Sequence, residues 1–430
     1  MRDWLNEGVI VNTPDISPIK QPTLKNPEIP GLSSYNDSPG DEFWISFPFK
    51  KLPEKAETAV LTEVFAELIE KSKDKMTNCE YRRARKVISD LTLGAESYQL
   101  DSLPPLITVN AKSATEHGQL LTDTIATWVK KGFVAGPFDC PPVSGFCANP
   151  LGVVVRNGKI RPILNMSGPK GRSFNDNVNR SRLERLHMGT AKQFSYALKN
   201  AGIDAVFSKF DIQDAYKLMP SRVEDFRLQG FSWLGKYFVE TRQPFGGVPA
   251  PANFDRLGKT KDLVVCLNSG TPRNSVFRAL DDSPCMGRGD SDRVKKFSLE
   301  MRIFCEKTNI PLADNCPAAE KAFELVQKGT VLGVGFDSTD MTWFLSKDKA
   351  DKVVARCLNA ARSSHMELKQ VQQLTGSIND VAQMCPAMNF HKWTGNNFLK
   401  RFGGNENLSL MVPDTLKKDL LVIANGGQLS

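Results

Sequence analysis

Residues 207–216 read FSKFDIQDAY, and residues 280–282, further along the chain, read LDD. The aromatic residues of the first stretch are β-prone, so we expect a strand that ends in an exposed carboxylate, Asp211. Asp281 and Asp282 are predicted to lie on a hairpin turn beside that strand. Three carboxylates in such a place form a nest of negative charge, which Mg²⁺ would stabilise because it prefers hard oxygen ligands.

Two metal ions roughly 3.5–4 Å apart can clamp the attacking and leaving oxygens of an in-line phosphoryl displacement, so the carboxylates indicate nucleotidyl transfer. A simpler interpretation competes with this one. An Asp-Asp pair is most often a solvated turn, because Asp favours turns and helix N-caps. Each motif alone is therefore weak, and the order of the motifs around it carries the argument.

The composition is that of an ordinary globular protein with a modest basic excess. The 430 residues suffice to bury a large core, and more than one subdomain is expected. Lys and Arg number 56 and Asp and Glu 48, giving a formal net charge of +8. This excess suits a polyanionic partner such as nucleic acid, because neutralising phosphates releases counterions. Many basic proteins bind no nucleic acid, so the charge alone decides little.

The cysteines and the N-terminal residues indicate in which compartment the protein is found. The nine cysteines are odd in number and contain no Cys-x-x-Cys pair, which argues against a disulfide framework and a zinc site. The first residues lack the apolar core of a signal peptide. No apolar run approaches membrane-spanning length. We expect an intracellular protein of the cytoplasm or nucleus, with no membrane partner.

Local patterns predict the secondary structure. Residues 1–53 are rich in Pro, Asn, Ser and Asp, which predicts a flexible N-terminal arm. Residues 54–117 are predicted to form a helical region, with one helix starting near Thr58 and a second around 78–91. Helical spacing of apolar residues predicts further helices at 118–131, 183–200, 292–306, 345–358 and 368–384.

Strand patterns alternate with these helices. Asn157-Gly158 is a strong two-residue hairpin signal between strand-like pieces at 150–156 and 159–166. Alternation around Leu234-Gly235 predicts a second hairpin. Single strands are expected at 276–280 and 330–336.

The motifs between Lys131 and Phe336, taken in order, resemble the reverse transcriptase domain of retroelements. They are most similar to the DIRS-like group, which carries a tyrosine recombinase. The residues that carry the resemblance are KGFVAGPF (131–138), NPLGVV (149–154), GKIRPILNMS (158–167), FSKFDIQDAY (207–216), LQGFSW (228–233), PFG (244–246), LDD (280–282) and VLGV (331–334).

The resemblance implies a mixed α+β fold: a right-hand polymerase with fingers, an antiparallel-sheet palm and a helical thumb. The divisions it implies are fingers at 118–200, palm at 201–344 and thumb at 345–403. Residues 404–430 are similar to the start of the connection toward a ribonuclease H domain, which we do not expect within this chain.

The resemblance also assigns roles to single residues. The implied catalytic metal ligands are Asp211, Asp281 and Asp282, with the Ile212 carbonyl as a further oxygen, and the implied metal is a pair of Mg²⁺ ions, with Mn²⁺ as an alternative. The implied dNTP-binding residues are Arg156, Lys159, Arg161, Tyr216, Phe245 and Gly246. The implied primer grip is Leu332-Gly333. A bulky ring at Tyr216 would clash with a ribose 2′-OH, so it favours dNTPs over rNTPs.

Three departures from the family pattern stand out. Ala279 replaces the large residue that relatives carry two positions before the Asp pair. Pro249 stands at a position that is polar in relatives, where its missing N–H could alter template handling. Residues 314–317 occupy the place of a Lys that in relatives protonates pyrophosphate, and the nearest Lys is Lys321.

The activity that follows is that of an RNA-directed DNA polymerase of a retrotransposon, which extends a primer 3′-OH with dNTPs. Its expected partners are an RNA template, a DNA or RNA primer and the resulting RNA–DNA hybrid. The departures keep an alternative open: a catalytically impaired, retroelement-derived protein that still binds nucleic acid.

Overall fold

The computed structural model describes residues 39–156, 159–290, 292–313, 322–345, 347–384 and 389–426. Within these ranges the chain is a mixture of helices and short, mostly antiparallel strands. The helices are α1 (Asp41–Ser46), α2 (Thr62–Lys71), α3 (Asn78–Leu93), α4 (Lys112–Glu116), α5 (Gly118–Lys130), α6 (Ala191–Ala201), α7 (Pro249–Ser269), α8 (Arg293–Thr308), α9 (Lys347–Arg362), α10 (Leu368–Met384), α11 (Asn389–Lys400) and α12 (Asp414–Gly426).

The strands follow the same chain order. They are β1 (Leu106–Ile107), β2 (Val134–Phe138), β3 (Cys147–Ala148), β4 (Leu151–Arg156), β5 (Lys159–Leu164), β6 (Val206–Asp211), β7 (Gly230–Trp233), β8 (Lys236–Glu240), β9 (Asp282–Gly287), β10 (Phe323–Val326), β11 (Lys328–Val331), β12 (Val334–Asp337), β13 (Thr342–Phe344), β14 (His365–Glu367) and β15 (Ser409–Met411).

The central sheet has the order β10-β6-β9, with both neighbours antiparallel to β6. Four consecutive residues of β6 are buried, because the strand is covered on both faces. Phe207 packs edge-on against Phe194 of α6, and Phe210 packs against Phe297 of α8. This double cover fixes the position of Asp211 at the end of the strand.

A five-stranded sheet of order β1-β3-β7-β8-β2 forms a second layer with α5. Its β7–β8 hairpin turns at Leu234 and Gly235, whose φ angles of 48° and 78° are those of a tight two-residue hairpin turn. Phe231 and Phe238 stack across this hairpin with ring centroids 5.2 Å apart. The predicted hairpin at this place is confirmed, as is helix α5.

Strands β4 and β5 form a separate two-stranded hairpin in the register from Leu151–Leu164 to Arg156–Lys159. The strand pairing predicted from Asn157-Gly158 is therefore confirmed, although the two turn residues themselves lie outside the described residues. The Leu151 carbonyl accepts a hydrogen bond of 2.8 Å from the Ala111 N–H, and the Val153 N–H donates one of 3.0 Å to the Ser113 hydroxyl. These bonds join the base of the hairpin to α4.

The N-terminal region differs from the prediction in two respects. Residues 1–38 of the predicted arm lie outside the described residues, and residues 41–46 form helix α1, which the sequence did not predict. Phe47 follows this helix and lies in the apolar cluster of the five-stranded sheet, with its ring centroid 6.2 Å from that of Phe238. The first long helix begins at Thr62 rather than near Thr58, because the Thr58 hydroxyl donates a hydrogen bond of 2.7 Å to the Leu218 carbonyl. Helix α3 begins after Thr77, as its capping box with Glu80 requires.

Two other predicted elements were wrong in extent. The helix expected at 183–200 begins only at Ala191, because Thr190 and Gln193 form a capping box at that point. The strand expected at 276–280 makes only isolated bridges at Val276 and Ala279. Pro284 lies opposite and has no N–H to return, so a continuous ladder cannot form there.

The strand predicted at 330–336 is a hairpin instead. Strands β11 and β12 pair from Lys328–Asp337 to Val331–Val334, and Leu332-Gly333 forms the turn between them. Both turn residues have positive φ, 53° and 77°, as a tight two-residue hairpin turn demands. The apolar residues on both sides of the turn made the segment resemble one strand.

Helices α9, α10, α11 and α12 form a bundle around a largely apolar core. The helices predicted at 345–358 and 368–384 are confirmed as α9 and α10. Leu416 and Leu420 of α12 are fully buried in the same core, so the segment after residue 404 packs with the bundle. The described residues contain no helix that is both long and apolar enough to cross a membrane.

Candidate active site

The end of β6 and the start of β9 bring two of the predicted carboxylates together. Asp211 and Asp282 are direct cross-strand partners in the antiparallel register, so their side chains lie on the same face of the sheet. Asp281 precedes β9, and its carbonyl accepts a hydrogen bond of 3.3 Å from the Ile212 N–H. The backbone therefore places all four predicted metal-binding residues at the same end of the central sheet, where β6 ends and β9 begins.

The turn that carries Asp281 is tight. Ala279 and Asp282 exchange two backbone hydrogen bonds of 2.9 and 3.1 Å, which leaves Leu280 and Asp281 as the two turn residues. Leu280 has a φ of 56°, an uncommon value for a residue other than glycine. The surroundings must hold this conformation in place.

The carboxylates suit a divalent cation by their chemistry, since they offer only hard oxygen donors. Asp211, Asp281 and Asp282 are all partly accessible to solvent. Among the described residues, no three or more His, Cys, Asp or Glu side chains are already drawn together into a group that could hold a metal ion. The backbone brings the three residues to the same end of the sheet, and the binding of a metal remains a prediction.

Tyr216 lies next to these carboxylates. Its ring centroid is 5.7 Å from that of Phe245 and 5.7 Å from that of Phe254. Burial raises the pKa of Tyr216, and the nearby charge of Asp281 raises it further. Tyr216 and Phe245, both predicted to contact the dNTP, are thus in contact with each other and close to the turn.

The loop after Pro244 is anchored from two sides. Gly246 has a φ of 119°, and a Cβ at this position would come within 2.9 Å of the Leu164 carbonyl at the end of β5. Asn175 donates to the Gly246 carbonyl at 2.8 Å and accepts from the Val248 N–H at 2.8 Å. Only glycine fits at residue 246.

Pro249 occupies the first turn of α7. A proline is well accommodated there, because the N–H that it lacks would have no helical partner. The unusual Pro249 therefore starts the helix.

The predicted triphosphate ligands lie on the β4–β5 hairpin. Arg161 is exposed on β5 opposite Val154, and Arg156 pairs in register with Lys159 next to the turn. The hairpin meets the Phe245-Gly246 loop through Leu164. The described contacts join the hairpin to the loop.

The predicted primer grip also acquires a partner. The Gly333 carbonyl, in the β11–β12 turn, accepts a hydrogen bond of 3.4 Å from Lys349 of α9. The turn therefore touches the helical bundle. Residues 314–317 and Lys321, which bear on the proton donor, lie outside the described residues.

Sequence reasoning missed a buried charged residue behind the turn at Leu280-Asp281, which is called the Asp turn below. Arg278 is 7% exposed, and its Nη1 donates a hydrogen bond of 3.1 Å to the Leu280 carbonyl. The guanidinium forms ion pairs with Asp255 and, at 3.5 Å, with Asp262 of α7. Arg278 thus ties the turn that carries Asp281 to the long helix behind it.

A buried lysine supports the other side of the same turn. Lys261 is fully buried, and its Nζ lies 2.6 Å from Asp262 and 2.9 Å from the Ser283 hydroxyl. Ser283 follows Asp282 directly. The one signal in the sequence was a charged residue, Arg278, within the apolar run at 276–280.

These elements together form a right-hand polymerase fold of the reverse transcriptase type. The solved structures that resemble the chain are foamy viral protease-reverse transcriptases. One, in complex with double-stranded DNA, has a TM-score of 0.56 at 18% identity, over 89% of this chain and 62% of that one. Another, with an RNA/DNA hybrid, has a TM-score of 0.51 at 16% identity, over 88% of this chain and 47% of that one.

A third, also with double-stranded DNA, has a TM-score of 0.50 at 16% identity, over 88% of this chain and 73% of that one. The chain thus spans about half to three-quarters of the length of these viral proteins. At these identities the likeness concerns the fold. No protein-family model and no curated protein sequence matches the chain.

Proposed function

We propose that the chain is an RNA-directed DNA polymerase, which adds dNTPs to a primer 3′-OH opposite an RNA template. The observation that carries the proposal is the register of Asp211 opposite Asp282, with Asp281 in the adjoining turn, on a reverse transcriptase fold. By its motifs, the chain would come from a retrotransposon of the DIRS-like group.

In this proposal Asp211, Asp281 and Asp282 would hold two Mg²⁺ ions, with the Ile212 carbonyl as a further ligand. When bound, such ions lower the pKa of the attacking hydroxyl and stabilise charge on the transferred phosphoryl group. Rotation of the carboxylates about their χ1 angles would assemble the ligands, since the backbone already brings the residues to the same end of the central sheet.

The remaining residues would bind and orient the nucleotide. Tyr216 and Phe245 would form the floor under the sugar and base, and the ring of Tyr216 would exclude a ribose 2′-OH. Arg161 would contact the triphosphate, because a guanidinium offers two parallel donors to phosphate oxygens. Arg156 and Lys159 would add charge at the tip of the hairpin. Leu332-Gly333 would contact the primer.

A second candidate function is binding of nucleic acid without polymerisation. It is favoured by one observation: the described acidic side chains do not form a ready metal-binding group. In that case the fold would have kept its nucleic-acid surfaces while losing the geometry for catalysis.

The test is primer extension by the purified chain with an RNA template, dNTPs and Mg²⁺. We expect extension, and we expect Asp281→Asn and Asp211→Ala each to reduce it at least about 100-fold, because each removes a charged ligand of the transition state. Asp290→Asn is the matched control, since Asp290 is an exposed acid paired with Arg288 beyond β9. It should extend normally.

Replacing dNTPs with rNTPs in the same assay tests the role of Tyr216. Wild-type protein should discriminate strongly, and Tyr216→Ala should incorporate rNTPs more readily. Extension that survives Asp281→Asn in a folded protein would refute the metal assignment. If the wild type and the Asp281→Asn variant both bind the template in a salt-sensitive way and neither extends the primer, the second candidate function is favoured.

A further inference from the structure

Arg278 connects the Asp turn to α7. Its Nη1 donates to the Leu280 carbonyl, which is the peptide oxygen directly before Asp281. Leu280 has a positive φ, so its surroundings must hold it in place. A second hydrogen bond comes from β6, since the Ile212 N–H donates to the Asp281 carbonyl at 3.3 Å. The turn is therefore held by a strand N–H and by a buried guanidinium.

The guanidinium is itself fixed by α7. Asp255 and Asp262 lie seven residues apart, on one face of the helix, and both form ion pairs with Arg278. A Cβ on Gly258 would come within 2.9 Å of the Arg278 Nη1, so the guanidinium lies directly against the helix backbone. Because it is held by two carboxylates and by the helix, the donor that bonds to Leu280 has little freedom to move.

Asp262 also bonds to the other flank of the Asp pair. Its carboxylate accepts a hydrogen bond of 3.0 Å from the hydroxyl of Ser283, the residue after Asp282. The same carboxylate lies 3.5 Å from the Nε of Arg278, three residues before Asp281. One residue of α7 is thus joined to both flanks of the pair.

The chemistry of arginine suits this arrangement. Arg278 directs its Nη1 to a carbonyl, its Nη2 to Asp255 and its Nε to Asp262. A planar guanidinium can bond to three acceptors at once because its donors sit on three nitrogens in a fixed geometry. A lysine would keep the charge but has a single nitrogen, so it cannot span the same three acceptors.

Groups that bond to the ligands of a metal ion from behind orient those ligands, and their loss weakens metal binding or activity roughly 10–100-fold. We propose that Arg278 is a positioning residue of this kind. Through the Leu280 carbonyl it holds Asp281 where a cation shared with the other two carboxylates can reach it. The inference rests on the proposed function, which assigns the metal to these carboxylates, and it adds what sets their placement.

Arg256 of α7 provides a matched control. Its side chain is 3% exposed, against 7% for that of Arg278. Among the described residues it bonds to Asp90, Glu184 and Tyr98, none of which belongs to the Asp turn. After removal of either arginine, the buried acid keeps a lysine: Lys86 on Asp90, or Lys259 on Asp255. The two substitutions to methionine therefore remove similar buried charges and differ in their contact with the turn.

The first measurement is amide hydrogen exchange of the full chain without added metal. The N–H groups of Ile212 and Asp282 both donate to carbonyls of the turn segment. In Arg278→Met they should exchange about tenfold faster than in wild type, the effect of losing a hydrogen bond to a charged group. Arg256→Met should leave them within about twofold of wild type. Equal exchange in the two variants would overturn the proposal.

The second measurement is the affinity for Mn²⁺, followed through the relaxation of water protons, which needs neither primer nor nucleotide. Arg278→Met should raise the Kd about tenfold or more, and Arg256→Met should leave it within about twofold. Arg278→Lys keeps the charge without the planar donors and should fall between wild type and Arg278→Met. It serves in both measurements if Arg278→Met does not fold.

Asp281→Asn separates this proposal from the proposed function. Mn²⁺ binding that is lost in Asp281→Asn but unchanged in Arg278→Met would overturn the positioning role and leave the proposed function standing. Mn²⁺ binding that is the same in Asp281→Asn and wild type would refute the metal assignment of the proposed function. In that case, faster exchange confined to Arg278→Met would still support the positioning of the turn.

Discussion

The region around the Asp turn and α7 contains buried charges, whereas the interior of the helical bundle α9–α12 is almost wholly apolar. The buried charged residues around the Asp turn and α7 are Asp90, Asp255, Arg256, Lys261, Asp262 and Arg278. In the described part of residues 347–426, the buried polar side chains are only Thr375 and Ser377. The same chain thus stabilises two regions by different physical means.

The difference follows from what each region must hold. Apolar burial is strong but has no direction, which suffices to keep four helices together. A buried ion pair gains little net stability because both ions lose water, yet it fixes the positions of its partners. Next to α7, those partners hold a two-residue turn with Leu280 at positive φ and Asp281 at its tip.

The largest effect should come from breaking the network of buried charges around α7. Arg278→Met leaves Asp255 and Asp262 with one basic partner fewer in a buried place, and we expect a loss of about 3–5 kcal/mol in the free energy of unfolding. Denaturant unfolding measures it.

Arg288→Met, which breaks an exposed pair, should cost less than about 1 kcal/mol. A loss at Arg278 as small as that at Arg288 would show that the buried charges do not support the turn.

A cavity in the helical bundle should have a slightly smaller and more local effect. Leu416→Ala removes a fully buried side chain of α12, and we expect a loss of about 3 kcal/mol. Amide hydrogen exchange should quicken in α9–α12 and stay slow in β6 and β9. Equal loss of protection in both regions would mean that the central sheet and the bundle unfold as one unit, which would remove the basis of the comparison.

The smallest effect should come from Asp337, a charged residue that lies outside the two regions compared above. Asp337 in β12 is held by the Thr339 hydroxyl and by Lys328 at 3.1 Å, and these contacts lower its pKa from 3.8 to about 2. A carboxyl with a lowered folded pKa stabilises the protein above its unfolded pKa and loses that contribution as pH falls toward 2.

We expect Asp337→Asn to lose about 1.5 kcal/mol at pH 7, the lower end of the contribution of a hydrogen bond to a charged group. The difference from wild type should shrink between pH 4 and pH 2. Unfolding at a series of pH values checks this. A constant difference across that range would place the effect in lost packing.

The sequence predicted what local physics controls. The hairpin signals at 157–158 and 234–235 and the helical spacing in α5, α9 and α10 need only neighbouring residues, and these predictions hold. The start of α6 at Ala191 and the turn at Leu332-Gly333 were missed because capping and turn chemistry were outweighed by apolar spacing.

The site was predictable in part for the same reason. The order of the motifs identifies Asp211 and the Asp281-Asp282 pair, and the pairing of β6 with β9 brings them together. The buried network was not predictable, because Asp255 and Arg278 are distant in the chain and meet only when α7 packs behind the turn.

The contacts of the helical bundle close into a ring: α9 touches α10, α10 touches α11, α11 touches α12, and α12 returns to α9. In such a ring no helix is terminal in the packing, whatever its place along the chain. The order of connection and the order of contact are therefore separable. A circularly permuted bundle that began at β14 and ended at α9 would keep all four helix interfaces, because the break would fall between α9 and β14 and would leave β14 paired with β15.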